Sequence, residues 1–275
     1  MKHEAATGTE VRRPAWAQQF YPAQPAELRR EVSQCLAGPS HEGIGAKAII
    51  APHAGYPYSG SIAGSAYRSL GSHLTHIRKV VLIGPCHRMS FRGMALPSHK
   101  AFATPLRDTP VDGEAMARLA AMQGVRVLDA AHAEEHSLEV ELPFLQMLLH
   151  HFEIIPILVG DEEPETVARA LGAVWGGAET VVVISSDLSH YQDYATARGQ
   201  DARTAAAIVG GNPDSIHGED ACGAGAIRGF LVANREHKLK AELLDLRNSG
   251  DTAGSRNRVV GYGAFGFFPQ SAQAA

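Results

Sequence analysis

Three histidines in this chain follow short apolar runs that read as buried strands. The first run is Ala46-Lys47-Ala48-Ile49-Ile50-Ala51-Pro52-His53, and the second is Val80-Val81-Leu82-Ile83-Gly84-Pro85-Cys86-His87. The third is Val181-Val182-Val183-Ile184-Ser185-Ser186-Asp187-Leu188-Ser189-His190. Imidazole is the commonest metal ligand, and it is the side chain that titrates near neutral pH. Three imidazoles with Asp187 beside the last of them point to metal chemistry or acid–base chemistry. Taken singly, each residue also has an ordinary reading. His53 is a ligand, a general base, or a loop histidine bonded to backbone. Asp187 orients an imidazole, ligates a metal, or caps a helix.

Other residues can join such a site. Glu134-Glu135-His136-Ser137 sets two acids and a histidine at the entrance of an apolar segment, which is either part of a site or a charged loop. Asp251, in Asn248-Ser249-Gly250-Asp251-Thr252, is an oxygen ligand or simply a turn residue. Cys86 adjoins His87, but neighbours at a strand end point in different directions, so a thiol–imidazole pair is not expected there. Arg88 and Arg92 are anion contacts or solvated surface. Gly261-Tyr262-Gly263-Ala264-Phe265-Gly266 matches GxGxxG in letter only, because no room follows it for the required helix and βαβ unit.

The elements that must hold these groups alternate. Helices are expected over Pro25–Leu36, Ser61–Leu70, Val111–Met122, Pro164–Val174, Asp193–Val209 and Cys222–Asn234. Strands are expected at Ala46–Ala51, Val80–Ile83, Glu153–Val159, Val181–Ile184, Lys240–Leu246 and Arg258–Phe267. Ser137 opens a further amphipathic segment, with Leu138, Leu142, Leu145 and Leu149 on one face, Glu139 in its first turn and Pro143 threatening a kink. Arg88 to Pro110 reads as irregular. The pattern predicts an α/β fold: a single domain over residues 11–268, with a mostly parallel central sheet flanked by helices. Flexible tails are expected at 1–10 and 269–275. In such sheets ligands bind outside the carboxyl ends of the strands, where His53, His87 and His190 fall.

Bulk composition narrows the partners. The chain has 275 residues and a net charge of −4, which gives nucleic acid or an anionic membrane no global attraction. Its 14 histidines raise the expectation of metal binding. Three scattered cysteines, Cys35, Cys86 and Cys222, argue against a disulfide framework. The polar N-terminus suggests no signal peptide, and no apolar run approaches the ~20 residues of a membrane span. A cytoplasmic protein is expected.

Taken in order, several segments resemble the Memo-like family. They are Ala51-Pro52-His53-Ala54-Gly55-Tyr56, Gly84-Pro85-Cys86-His87, Glu135-His136-Ser137-Leu138-Glu139-Val140-Glu141-Leu142-Pro143-Phe144, Ile155-Pro156-Ile157-Leu158-Val159-Gly160 and Ser185-Ser186-Asp187-Leu188-Ser189-His190. The arm Arg13-Pro14-Ala15-Trp16 to Phe20-Tyr21-Pro22 and the turn Gly250-Asp251-Thr252-Ala253-Gly254 are similar to the same family's bacterial and archaeal members. The resemblance implies a fold like the class III extradiol dioxygenases and a pocket like their non-haem Fe(II) site. It implies His53 and His87 as metal ligands and His190 as the acid–base histidine, with Asp187 beside it. The third ligand is a cysteine in the animal protein and a carboxylate in the dioxygenases. Here the matching turn carries no cysteine, which leaves Asp251. Two histidines and a carboxylate suit Fe(II), with copper as the alternative. Tyr58, Tyr191 and His136 are expected to line the substrate pocket. The resemblance also implies partner proteins of the radical-SAM and AMMECR types, the three-part AmmeMemoRadiSam set. Three functions follow as expectations: a dioxygenase-like oxidoreductase acting on an aromatic or other small molecule, a non-catalytic peptide- or protein-binding module using the same cleft, and a metal-dependent hydrolase or transferase within the three-part system.

Overall fold

Four adjacent strands with continuous apolar sequence form the centre of the molecule, which is known here as a computed structural model describing residues 10–39 and 45–270. The expected flexible tails lie largely outside the described residues.

In chain order the strands are β1 (Val11–Arg12), β2 (Ala48–Ala51), β3 (Lys79–Pro85), β4 (Met94–Leu96), β5 (Ala101–Ala103), β6 (Asp108–Pro110), β7 (Val125–Val127), β8 (Glu153–Val159), β9 (Thr180–Ser185), β10 (His190–Gln192), β11 (Lys240–Asn248) and β12 (Val259–Phe268). The α-helices are α1 (Pro25–Cys35), α2 (Tyr56–Arg68), α3 (Gly113–Ala120), α4 (Asp129–Ala133), α5 (Leu142–Leu148), α6 (Pro164–Val174), α7 (Tyr194–Val209) and α8 (Ala224–His237). Among the described residues the main sheet runs β10-β12-β2-β9-β3-β8-β4-β7, with β11 on β12. Neighbouring strands β2, β9, β3 and β8 run parallel, while β12 and β4 flank them antiparallel. A smaller sheet, β1-β5-β6, lies apart.

Strands buried on both faces need no polar alternation, which explains runs such as Val181-Val182-Val183-Ile184. Side chains still alternate between faces. Ile49, Ala51, Val80, Leu82, Val181 and Val183 pack with α1, α2 and α5 through Leu28, Val32, Ile62, Leu142 and Leu145. Ala48, Ile50, Val81, Ile83, Val182 and Ile184 pack with α6, α7 and α8 through Val167, Leu171, Ile208, Ile227 and Phe230. The single mixed α/β domain with a largely parallel core is as the sequence predicts.

Register then places the chemistry. Ala51 pairs with Ser185, and Ile83 with Ile184, so β2, β9 and β3 end side by side. His53, Asp187 and His87 each lie two residues beyond a strand end and share one rim.

Several elements differ from expectation. Arg88–Pro110 contains β4, β5 and β6 rather than irregular chain, and β7 and α4 were too short to show periodicity. The segment opening at Ser137 is a series of turns, and α5 begins only at Leu142. The Glu135 carboxylate accepts the His136 and Ser137 N–H groups, and Pro143 sits at the true helix start, where its missing N–H costs nothing. The GxGxxG look-alike lies within β12, where Gly261 leaves room for the buried Asp201 carboxylate, 2.1 Å from where a Cβ would sit.

Candidate metal centre

His53, His87 and His136 each present a ring nitrogen to a common point, and these atoms lie within 4.8 Å of one another. The rings meet at centroid distances of 5.2 Å for His53–His87, 5.2 Å for His53–His136 and 4.5 Å for His87–His136. Two of the three come from strand ends, and the third comes from the turns before α5.

Each of the two strand-end rings is oriented from behind. His87 Nδ1–H donates to Glu135 Oε1 at 2.9 Å, leaving Nε2 for the pocket. Burial alone would raise the Glu135 carboxyl, but the hydrogen bonds from the His87 ring and backbone N–H, with the His136 ring close by, hold it down at about 2. Glu135 is therefore an anion behind His87. His53 Nδ1 meets Ser185 Oγ at 2.7 Å, and that hydroxyl lies 2.7 Å from the Ser137 carbonyl. With the serine donating to Ser137, His53 Nδ1–H donates to Ser185, and Nε2 keeps its lone pair. A carboxylate or hydroxyl behind a ligating imidazole fixes its tautomer and raises its basicity.

Burial keeps the His53 and His136 rings neutral. Burial drives the His53 imidazole well below its ordinary range, with further repulsion from His136, His87 and His190. Burial likewise takes His136 down to about 4. Neutral imidazole is the form that ligates a metal. The donor set therefore fits a divalent transition ion such as Fe(II), copper or zinc, with positions left for other ligands.

The structure distributes the expected site residues unevenly. His53 and His87 meet as anticipated, and His136, expected to line the substrate pocket, joins them as the third member. Asp251 does not. It ends a 3-10 turn, Ser249–Asp251, where its carboxylate accepts Tyr194 Oη–H at 2.5 Å and the Asn248 N–H at 3.1 Å. Asp187 is buried, and its carboxylate accepts the His53 N–H at 2.8 Å rather than orienting the His190 ring. Burial pushes Asp187 up to about 7. His190 Nδ1–H donates to the Leu188 carbonyl at 2.8 Å, and burial lowers this ring too. Tyr58 and Tyr191 stay 42% and 64% exposed. Tyr191 has φ +59°, an uncommon value for a non-glycine, at the bulge where β10 shifts register against β12.

Further residues carry the site, and of these the sequence points only to Glu135. Cys222 Sγ stands 3.4 Å from His53 Nε2 and receives the Asp187 N–H at 3.3 Å. It reaches there because Gly223 packs on Ser186, whose Cβ would lie 2.6 Å from an added Cβ. Ser185, Glu135 and Glu141 form the buried polar layer behind the rings. Glu139, fully buried, binds the Arg12 guanidinium at 2.6 Å, Tyr21 Oη at 2.6 Å and the Ala15 and Trp16 N–H groups, both at 2.8 Å. That carboxylate ties down the N-terminal arm, whose Phe20 and Trp16 rings lie 4.7 Å and 5.5 Å from His136.

A family model described as "Memo-like protein" matches residues 12–265. A "MEMO1 family protein" of Nitrosopumilus maritimus is 32% identical, covering 94% of this chain and 99% of its own length. One from Aeropyrum pernix is 36% identical over 93% of this chain and 99% of its own, and one from Aquifex aeolicus is 35% identical over 92% and 97%.

Proposed function

The chain belongs to the Memo-like protein family, and from that premise we propose that it is a metal-dependent oxidoreductase. It binds one divalent transition ion at His53, His87 and His136 and acts on an aromatic or other small substrate. The carrying observation is the meeting of three ring nitrogens within 4.8 Å, with His87 backed by Glu135 and His53 by Ser185. Fe(II) is the ion this reading prefers, and copper is the alternative. Asp251, the carboxylate that would suit Fe(II), lies outside the three-imidazole cluster. With three imidazoles in its place, the preference rests on family resemblance to the extradiol dioxygenases.

When bound, such an ion supplies Lewis-acid and redox chemistry. The chain's own groups do the rest. His190, with Nδ1–H held by Leu188, offers Nε2 as a base for a substrate hydroxyl proton. Its lowered pKa leaves it neutral and ready to accept at pH 7. Asp187 holds the His53 loop through its backbone. Trp16 and Phe20 wall the His136 side, and exposed Tyr58 and Tyr191 offer further aromatic surface.

The test is oxygen uptake by anaerobically Fe(II)-loaded protein offered a panel of catechols. Uptake with ring-opened product supports the reading. A loaded protein that is inert across the panel favours the peptide- or protein-binding module instead. Partners of the radical-SAM and AMMECR types stay part of the proposal, and co-purification from the native host tests them.

A further inference from the structure

Three buried glutamates lie within seven residues of one another, and their surroundings differ in kind. Glu135 receives four N–H groups: His87 N, His87 Nδ1, His136 N and Ser137 N. Glu139 receives the Arg12 guanidinium, two backbone N–H groups and the Tyr21 phenol. Glu141 is fully buried and has neither. Its contacts are hydroxyls: Tyr67 Oη, 2.7 Å from Oε2, and Ser185 Oγ, 3.1 Å from Oε1.

A bare carboxylate in that setting is costly, and a neutral acid is not. No charged donor faces Glu141 among the described residues: the Tyr67 and Ser185 hydroxyls donate to it and pull its carboxyl down, but burial outweighs them. Tyr67 and Tyr56 approach from α2 and Ser185 from β9, while Asp187 adds like charge from beyond β9. Burial, with that repulsion, lifts the acid to about 8. No cation among the described residues bridges to it.

The missing positive charge has an obvious seat. Ser185 Oγ touches Glu141 on one side and His53 Nδ1 at 2.7 Å on the other. A dication on His53 Nε2 lies one imidazole and one hydroxyl away, inside a poorly screened interior. We propose that Glu141 is the charge-compensating acid of the metal centre, protonated when the pocket holds no cation and ionised when a dication binds at His53, His87 and His136. This rests on the metal reading above.

The hydrogen bonds allow both states. With Glu141 protonated, Oε1–H donates to Ser185 Oγ, and the serine donates to the Ser137 carbonyl. With Glu141 ionised, the serine hydroxyl turns to donate to Oε1. In both, Ser185 Oγ accepts His53 Nδ1–H, so the ligand tautomer is preserved. The carboxyl proton leaves to solvent, and binding becomes coupled to pH. Glu141 is thus a positioning and compensating residue rather than a catalytic one.

The test is titration of the anaerobic protein with Co(II) in weak buffer at pH 7, counting protons released per metal bound. Asp187 also responds to the metal, but its release is common to wild type and variant. Glu141→Gln should release about one proton fewer than wild type and bind Co(II) roughly tenfold or more weakly, with its thermal transition intact. Equal proton release overturns the inference while leaving the metal site standing. Failure of wild type to bind Co(II) overturns the metal reading and this inference together. Should Glu141→Gln not fold, Tyr67→Phe gives a second reading. Loss of that phenol donor raises the acid further, so the pH at which release falls away moves upward. An unmoved midpoint overturns the proposal.

Discussion

Glu135 and His87 are bonded twice: the carboxylate accepts both the backbone N–H and the ring Nδ1–H of the histidine. One residue thus fixes the position and the tautomer of a candidate ligand from a segment 48 residues away. The bond also explains why a glutamate 3% exposed is tolerated there, since four N–H groups take up its charge.

Replacing that carboxylate should weaken the centre without emptying it. Glu135→Gln is expected to lower metal affinity about 10–100-fold, as loss of the partner behind a ligating imidazole commonly does. Competition titration against a chelator of known affinity measures it. Unchanged affinity would show that His87 needs no such support.

His190 should separate binding from turnover. Its ring stands outside the three-histidine group and is anchored by Leu188. His190→Ala is expected to keep full metal content and to lose about a hundredfold or more in any turnover, in line with removal of a general base. Loss of metal from this variant would make His190 a ligand instead.

Much of this arrangement can be read in the sequence, for a physical reason. The runs ending at Ala51, Pro85 and Ser185 are uniformly apolar because their strands are buried on both faces, and parallel register brings their ends to one rim. That logic reaches His53, His87 and Asp187. It does not reach His136, which arrives from turns before α5, where leucine spacing suggested helix while the Glu135 carboxylate was taking the N–H groups. Cys222 was invisible for a related reason. Its partner His53 is 169 residues away, and the small residues around Gly223 signal close packing without saying against what. Asp251 shows the converse. An acid in a Gly-Asp turn satisfied itself locally, through Tyr194 and Asn248.

The buried Arg12–Glu139 pair should matter for stability and for the site together. Both are nearly inaccessible, at 3% and 0% side-chain exposure. Glu139→Gln leaves Arg12 without its counter-charge and is expected to cost about 3–5 kcal/mol in urea unfolding. Because Glu139 also holds the Ala15 and Trp16 N–H groups, the arm packed on His136 should loosen, and protease nicking near Trp16 should rise. A variant as stable as wild type would contradict the anchoring role.

Asp112 gives a pH signature remote from the site. It caps α3 by accepting the Ala115 N–H at 2.9 Å and binds Lys79 Nζ at 2.6 Å. Burial pushes its carboxyl up, but the cap and the lysine outweigh this, and the folded value lies below 3.8. Its contribution is therefore complete above the unfolded value and is lost as pH falls through the folded one. Asp112→Ala should be about 1–2 kcal/mol less stable at pH 7, with the gap from wild type narrowing in strong acid. Denaturant curves at the two pH values measure it, and a gap that widens in acid would reverse the sign.

The most direct measurement is metal content after anaerobic Fe(II) reconstitution, comparing wild type with His53→Ala, His87→Ala, His136→Ala and Asp251→Ala. Three imidazoles as ligands predict one equivalent in wild type and in Asp251→Ala, and its loss in each histidine variant. Full occupancy in His136→Ala, or loss in Asp251→Ala, would contradict the three-histidine centre.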